Sequence, residues 1–489
     1  MKFIAVFMLG LAALVARGEE PRAVVARVAE AGTLAEAVGD RLGSLDSLVV
    51  EGPVNGADFD TMWRLAMEGK IVALNLEKAV VEGGKVPDRA FRRSEQTIDG
   101  VFHILPIRSV VLGESVEEIG DFAFAENYDL KYLTLPASLR KLGNSSFCYT
   151  MIRRLELPEG VKEIPEWCFG GCSMLTEARL PESLEKIGRC AFQGDVRLTT
   201  VEIPDGLVEM GDGAFFDCRL SSVELPAGCA GIFGEYVFRS NFELTRLVLP
   251  EGMRVVPAET AYSAISLSEL TLPASVSNIE KEAFWGCQSL RRIEFPEGLE
   301  AVQEAAFAGC IGMDEIVFPS TTKYLGQRSF FNLQSLKRIY CKAVTPPWGA
   351  PDYVNGADVV PGSQTEGVFG LASGSGSSTP RNVEIFVPIG SADAYRSAWG
   401  WNYFTNFIET DFDPAGVEPV SGGSGRTIAR VDGNTIVIEA EGASEYCVYS
   451  ADGAFVVAGK VSDEAVRITV TAGVYIVRAG ISVSKLIMP

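Results

Sequence analysis

The sequence predicts an α/β-type solenoid, a right-handed coil with one short parallel strand per repeat of about 23 residues, followed by a small all-β sandwich-like domain. Three observations carry this expectation. A proline follows two alternating apolar residues at Pro136, Pro158, Pro181, Pro204, Pro226, Pro250, Pro273, Pro296 and Pro319, at spacings of 22 to 24 residues. An aromatic stands 11 or 12 residues after each marker, at Phe147, Phe169, Phe192, Phe215, Phe238, Tyr262, Phe284, Phe307 and Phe330; Phe124 follows Gly113 in the same way. A period this tight marks coils that bury their apolar faces only by stacking on one another. Finally, residues 427–489 carry alternating apolar runs around two Asp-Gly turns, a hairpin signature.

The elements follow in chain order. MKFIAVFMLGLAALVARGEE has one lysine, an apolar run over 3–16 and small residues at Ala16 and Gly18, so residues 1–18 read as a signal peptide cleaved before Glu19. The run is too short to span a bilayer, and no transmembrane span is expected elsewhere. Residues 19–74 read as an N-terminal cap. It holds a helix with Leu34, Ala37, Val38 and Leu42 on one face, a strand at SLVVEG, a second helix at DFDTMWRLAME capped by Asp58 or Asp60, and a strand at IVALNLEKA. Phe91 already occupies the aromatic slot.

The solenoid proper is expected over 75–345. Its strands are LTLP, LELP, VEIP and their equivalents, each ended by a proline that cannot continue the ladder. The other side of each coil, LxxIGxxAFxxC, turns at glycine and sends leucine, isoleucine and phenylalanine into the stack. Residues 346–410 read as a C-terminal cap with a mobile Gly-, Ser- and Pro-rich loop. There Trp399, Trp401, Tyr403 and Phe404 serve as a lid over the last coil, with a carbohydrate-stacking platform as the alternative. Residues 411–426 are a linker. The last domain then supplies the hairpins TIARVDGNTIVIEA and EYCVYSADGAFVVAG and the strands AVRITV, GVYIVRAG and SVSKLIMP.

A net charge of −21 argues against nucleic acid as a partner. The ten cysteines do not read as a disulfide framework, because Cys172, Cys218, Cys287 and Cys310 each fall three residues after the repeat aromatic and so share one buried slot. Free thiols are expected. Cys168 and Cys172 lack a partner pair and the chain has one histidine, His103, so neither a zinc site nor a histidine-dependent nucleophile is expected. No cofactor, metal or catalytic residue is assigned, and the chain does not read as an enzyme.

The feature that invites a partner is the exposed face of the parallel strands, where coil-to-coil register writes a ladder of charges. Arg154 and Glu177 are 23 residues apart, and Arg246, Glu269, Arg292, Glu315 and Arg338 follow one another at the same step. Glu156 and Arg179 form a second opposite pair, and Glu294 lies on the same face. Such neighbours fix register and keep the face soluble, or they contact a partner. Glu202 and Glu224 interrupt the alternation as adjacent like charges, which singles that stretch out for contact.

The repeats PESLEKIGRCAFQGD and PEGLEAVQEAAFAGC resemble the BspA-like, treponemal-type leucine-rich repeats of bacterial surface proteins, across about 75–345. The flanking caps are similar to those that accompany this family in gut Bacteroidetes. The resemblance implies a secreted or surface-attached, non-catalytic protein that binds a protein, of a host matrix or another cell surface, or alternatively a glycan, by the acidic face or the aromatic cap. The coils at Pro226 and Pro250 depart from the motif. The final segment GVYIVRAGISVSKLIMP resembles the C-terminal sorting domains of the type IX secretion route, with Ile481-Ser482 in place of the usual glycine-rich turn.

Overall fold

The computed structural model describes residues 22–92, 97–98, 101–102, 104–347, 367–369 and 379–412, together with seven strands between Thr427 and Met488. The leader, His103 and the 413–426 part of the linker lie outside the described residues, as does most of the Gly-, Ser- and Pro-rich loop. The chain divides into two compact units between Thr410 and Asp411. No helix among the described residues is long and apolar enough to cross a membrane.

In the first unit, successive strands one coil apart pair in parallel and in register, as Arg154–Glu156 does on Glu177–Arg179 and Arg246–Val248 on Glu269–Thr271. This main sheet begins earlier than the sequence period does. Strands Ala23–Arg27, Asp46–Val54 and Ile71–Val81 pair in parallel and pass directly to Ser109–Leu112 and Tyr132–Thr134. Helices Leu34–Val38 and Gly56–Met67 lie between them in the chain. The first helix is shorter than expected, since Gly39 leaves helical geometry with φ 51°. The second is capped by Asn55 rather than by Asp58 or Asp60. Asp58 is the third residue of a capping box and accepts from the backbone N–H groups of Gly32, Leu34 and Asn55 at 2.6, 2.9 and 2.9 Å.

Each regular coil also carries a second, two-residue strand that the motif does not announce, such as Lys186–Ile187 or Glu209–Met210. These stack as a second parallel sheet. After several of these short strands the next N–H donates to the previous coil, as Gly188, Gly211 and Gly234 do to Ile164, Ile187 and Met210 at 2.7, 2.8 and 2.8 Å. Glycine suits this place because a Cβ on Gly211 would lie 2.6 Å from the Arg189 nitrogen. Pro165 and Pro257 stand at the same place and have no N–H to give. The second sheet is interrupted at those two coils, between Lys141–Leu142 and Glu163–Ile164 and between Ile232–Phe233 and Val255–Val256.

Between the sheets runs a column of buried rings. Phe91, Phe124, Phe147, Phe169, Phe192 and Phe215 stack at centroid distances of 5.1, 5.2, 5.5, 5.6 and 5.2 Å, and Phe238 follows at 6.1 Å. Tyr262 does not continue it. The backbone bonds of the slot pass from Phe238 to Thr260 and from Ala261 to Ala283, so the fully buried Ala261 occupies the ring position and Tyr262 stands one residue outside. The column resumes with Phe284, Phe307 and Phe330 and ends on Phe369, 5.9 Å from Phe330.

All nine described cysteines are free and buried. The shared slot has a polar logic beyond size. Cys172, Cys218, Cys287 and Cys310 each donate to the carbonyl of the preceding coil's ring-slot residue, Phe147, Phe192, Ala261 and Phe284, at 3.3, 3.1, 3.4 and 3.3 Å. Asn241 does the same to Phe215 at 2.8 Å.

At the far end the rings act as a lid. Trp401 is fully buried, with Nε1 donating to the Pro347 carbonyl at 3.1 Å, and Tyr403 and Phe404 are buried beside Phe369. No carbohydrate-stacking face remains on these three side chains. The second unit contains two antiparallel sheets, of three and four strands, whose core joins Ile436 and Ile438 of one to Tyr446, Val448, Tyr475 and Val477 of the other.

Candidate functional site

The exposed face of the main sheet follows from strand alternation. In Arg338–Cys341, Arg338 and Tyr340 point outward while Ile339 and Cys341 are buried. In-register stacking then sets the outward residues of neighbouring coils side by side.

Part of the expected ladder is present as ion pairs, though none joins Glu269 to Arg292 or Glu156 to Arg179 among the described residues. Arg154 approaches Glu177 at 3.9 Å, and Glu177 also holds Arg179 at 2.9 Å. Glu156 lies opposite Arg179 in register. Its carboxylate and that of the exposed Glu202 add, after Glu177, to the field that raises the Arg179 pKa. Farther along, Arg246 stands between Glu224 at 3.0 Å and Glu269 at 3.8 Å. Arg292 reaches Glu294 at 2.9 Å and Glu315 at 2.8 Å, and Glu315 takes Arg338 at 3.1 Å with its other oxygen. Glu384 continues the register beyond Arg338 across the excursion in the chain.

Two features differ from the sequence expectation. Glu224 is not left facing Glu202, because Arg246 neutralises it from the next coil. Strand Thr200–Val201, which ends just before Glu202, and strand Ser222–Glu224 are also not paired with each other. The main sheet is interrupted there, and again between Tyr132–Thr134 and Arg154–Glu156 and between Glu269–Thr271 and Arg292–Glu294.

The same face carries an aromatic pair that the repeat motif does not announce. Two positions from the ladder, Tyr340 and Phe386 stand in register on paired strands, with ring centroids 4.7 Å apart and planes 11° from parallel. Val317 precedes them and Ile408 follows, so the outward column is apolar at this end of the sheet. Both rings are half-buried, and burial pushes the Tyr340 phenol above its ordinary pKa, with Glu315 adding to the rise. The result is a stacked aromatic pair beside Glu315, Arg338 and Glu384 on a hydrogen-bonded sheet. Among the described residues no His, Cys, Asp and Glu side chains gather as metal ligands.

Residues 97–194, 171–287 and 255–345 match the BspA type leucine rich repeat region, in six copies, and together they run over half of the 489 residues. The chain belongs to the BspA-type leucine-rich repeat family. No curated protein matches it. Solved structures with similarity include a leucine-rich repeat protein from Bacteroides ovatus, at 22% identity over 56% of this chain and 80% of that one, with a TM-score of 0.40. A leucine rich cell surface protein from Faecalibacterium prausnitzii is 24% identical over 52% and 76%, with a TM-score of 0.36. The pneumococcal vaccine antigen PcpA is 16% identical over 70% and 85%, with a TM-score of 0.38.

Proposed function

We propose that this BspA-type repeat protein is a secreted or surface-displayed, non-catalytic recognition protein that binds a protein partner through the concave face of its main sheet, around Tyr340 and Phe386. The observation that carries this reading is the half-exposed, stacked Tyr340–Phe386 pair bracketed by Glu315, Arg338 and Glu384. Aromatic anchors ringed by charge dominate protein interfaces, and a sheet that holds them rigid reduces the entropy lost on binding. The charges of Arg154, Glu177, Arg246, Glu269, Arg292 and Glu315 are engaged with one another. They supply orientation and solubility more than affinity.

The glycan reading has less support. Sugar stacking uses an open ring face, whereas Tyr340 and Phe386 each turn one face toward the other and, of the four cap rings, Trp401, Tyr403 and Phe404 are buried and Trp399 is half-buried. Export rests on the leader at 1–18, and the C-terminal strands, similar to type IX sorting domains, serve delivery to the surface in this proposal. The test is an array of purified matrix proteins and glycans probed with the exported chain and with the Tyr340→Ala/Phe386→Ala variant. Selective capture by a protein, reduced at least tenfold in the variant, is the expected result. Selective capture by glycans, or capture unchanged in the variant, contradicts the proposal.

A further inference from the structure

We infer that the outer face of the second sheet, from about residue 163 to residue 255, docks an extended polypeptide segment in which apolar side chains alternate with lysine or arginine. Over its first coils this face is occupied by self-satisfied ion pairs. Lys141 meets Glu118 at 3.2 Å, and Lys186 meets Glu163 at 3.4 Å and Glu209 at 3.0 Å. The pattern then stops. Ile232 lies in register on Glu209 and is 56% exposed; Val255, at the same place one coil on, is 41% exposed; Val208, beside Glu209, is 49% exposed. Ile232 and Val255, in the two coils that depart from the repeat motif and on either side of the break at Pro257, thus turn β-branched side chains to solvent, as Val208 does in the coil before them.

Of these three residues Ile232 also lines a groove of about 680 Å³, with Phe233 beside it at the apolar end. The groove is lined from Asn144, Glu163, Lys186, Glu209 and Ile232, one residue in each of five successive coils. At roughly 4.8 Å per coil that is about 19 Å, the length of about six extended residues. Its walls carry four carboxylates, from Glu163, Glu166, Glu209 and Asp212, against the two cations Lys186 and Arg189. The residual charge is negative.

Charge and shape select the occupant. A second copy would bring like charges together, in a chain that already carries −21. An anionic lipid surface is repelled for the same reason. A cationic chain with branched or long apolar side chains satisfies both the walls and the end of the groove. This surface is distinct from the Tyr340–Phe386 face, so either proposal can fail without the other.

Fluorescence anisotropy of the full chain with a labelled Lys-Leu-Lys-Leu-Lys-Leu hexapeptide tests the inference. Saturable binding is expected, at least tenfold tighter than to hexapeptides with Glu for Lys or Ser for Leu. It should fall at least tenfold in Ile232→Ser/Val255→Ser, a variant that should keep the wild-type melting temperature because both sites are exposed. Tyr340→Ala/Phe386→Ala should bind the peptide as wild type does. Absence of saturable binding, equal binding of either control peptide, or undiminished binding by the serine variant overturns the inference.

Discussion

Tyr262 stacks on Trp285 with ring centroids 4.6 Å apart and planes 12° from parallel, outside the ring column rather than within it. The Arg239 guanidinium lies over the other side of Tyr262, 4.4 Å from its centroid. Core position and sequence position have separated by one residue at this coil, where Ala261 is the buried one. Phe192→Ala, which empties a fully buried slot, should cost about 3–5 kcal/mol. Tyr262→Ala removes only partly exposed contacts and should cost less than about 1.5 kcal/mol. Denaturant melts of the two variants measure the difference, and equal losses would return Tyr262 to the core.

Asp195 occupies the slot filled by thiols in the coils on either side, Cys172 and Cys218, and is fully buried with neither carboxyl oxygen hydrogen-bonded. Burial pushes its pKa well above the ordinary carboxylate range, and the Cys172 and Cys218 thiols are themselves pushed up and neutral. Because the folded pKa exceeds the unfolded one, near 3.9, the penalty is absent below that pH and grows as pH rises above it. Asp195→Asn supplies a neutral donor like Asn241 and should stabilise the chain by roughly 1–3 kcal/mol at neutral pH. Its advantage over wild type should shrink as the pH falls toward about 4. Thermal melts across that range read the trend, and a variant less stable than wild type at pH 7 would contradict it.

Asp58 gathers three backbone N–H groups from the loop before the first helix and the start of the second. Asp58→Ala leaves buried donors without an acceptor and should cost roughly 2–4 kcal/mol. Hydrogen exchange should show the loss concentrated in 23–81; uniform loosening of the whole solenoid would argue against this local role.

The charge ladder should matter much less to stability. Arg246→Ala removes two exposed pairs, with Glu224 and Glu269, and should cost under about 1 kcal/mol, less still at high salt. A larger, salt-insensitive loss would mean that Arg246 holds the fold together.

Legibility in the sequence followed the hydrophobic period and faded wherever the period was disturbed. The proline markers located the main strands, their register and the ladder in its two runs, Glu224 to Glu269 and Arg292 to Arg338, because parallel stacking turns a step of about 23 residues into a side-by-side contact. The same count misplaced Tyr262, since an aromatic side chain says nothing about which of two adjacent residues turns inward. Asp58 looked like a cap because its position is only three residues from the true one, Asn55. Two-residue strands are too short to show a period of their own, so the breaks at Pro165 and Pro257 emerged only from the donor they lack. Tyr340 and Phe386 were hidden by distance in the chain: no proline follows Tyr340, and the excursion beyond Ala343 erases the phase before Phe386 returns to register.

The contact surface proposed for a protein partner is the main-sheet face around Tyr340 and Phe386. Hydroxyl-radical footprinting of the full chain, alone and saturated with the matrix protein selected on the array, tests it most directly because both rings are half-exposed and oxidise readily when wet. Strong protection of Tyr340 and Phe386 is expected on binding, with Trp285 and Tyr149, exposed and away from the main-sheet face, unchanged. Unaltered oxidation of Tyr340 and Phe386 in a saturated complex would contradict it.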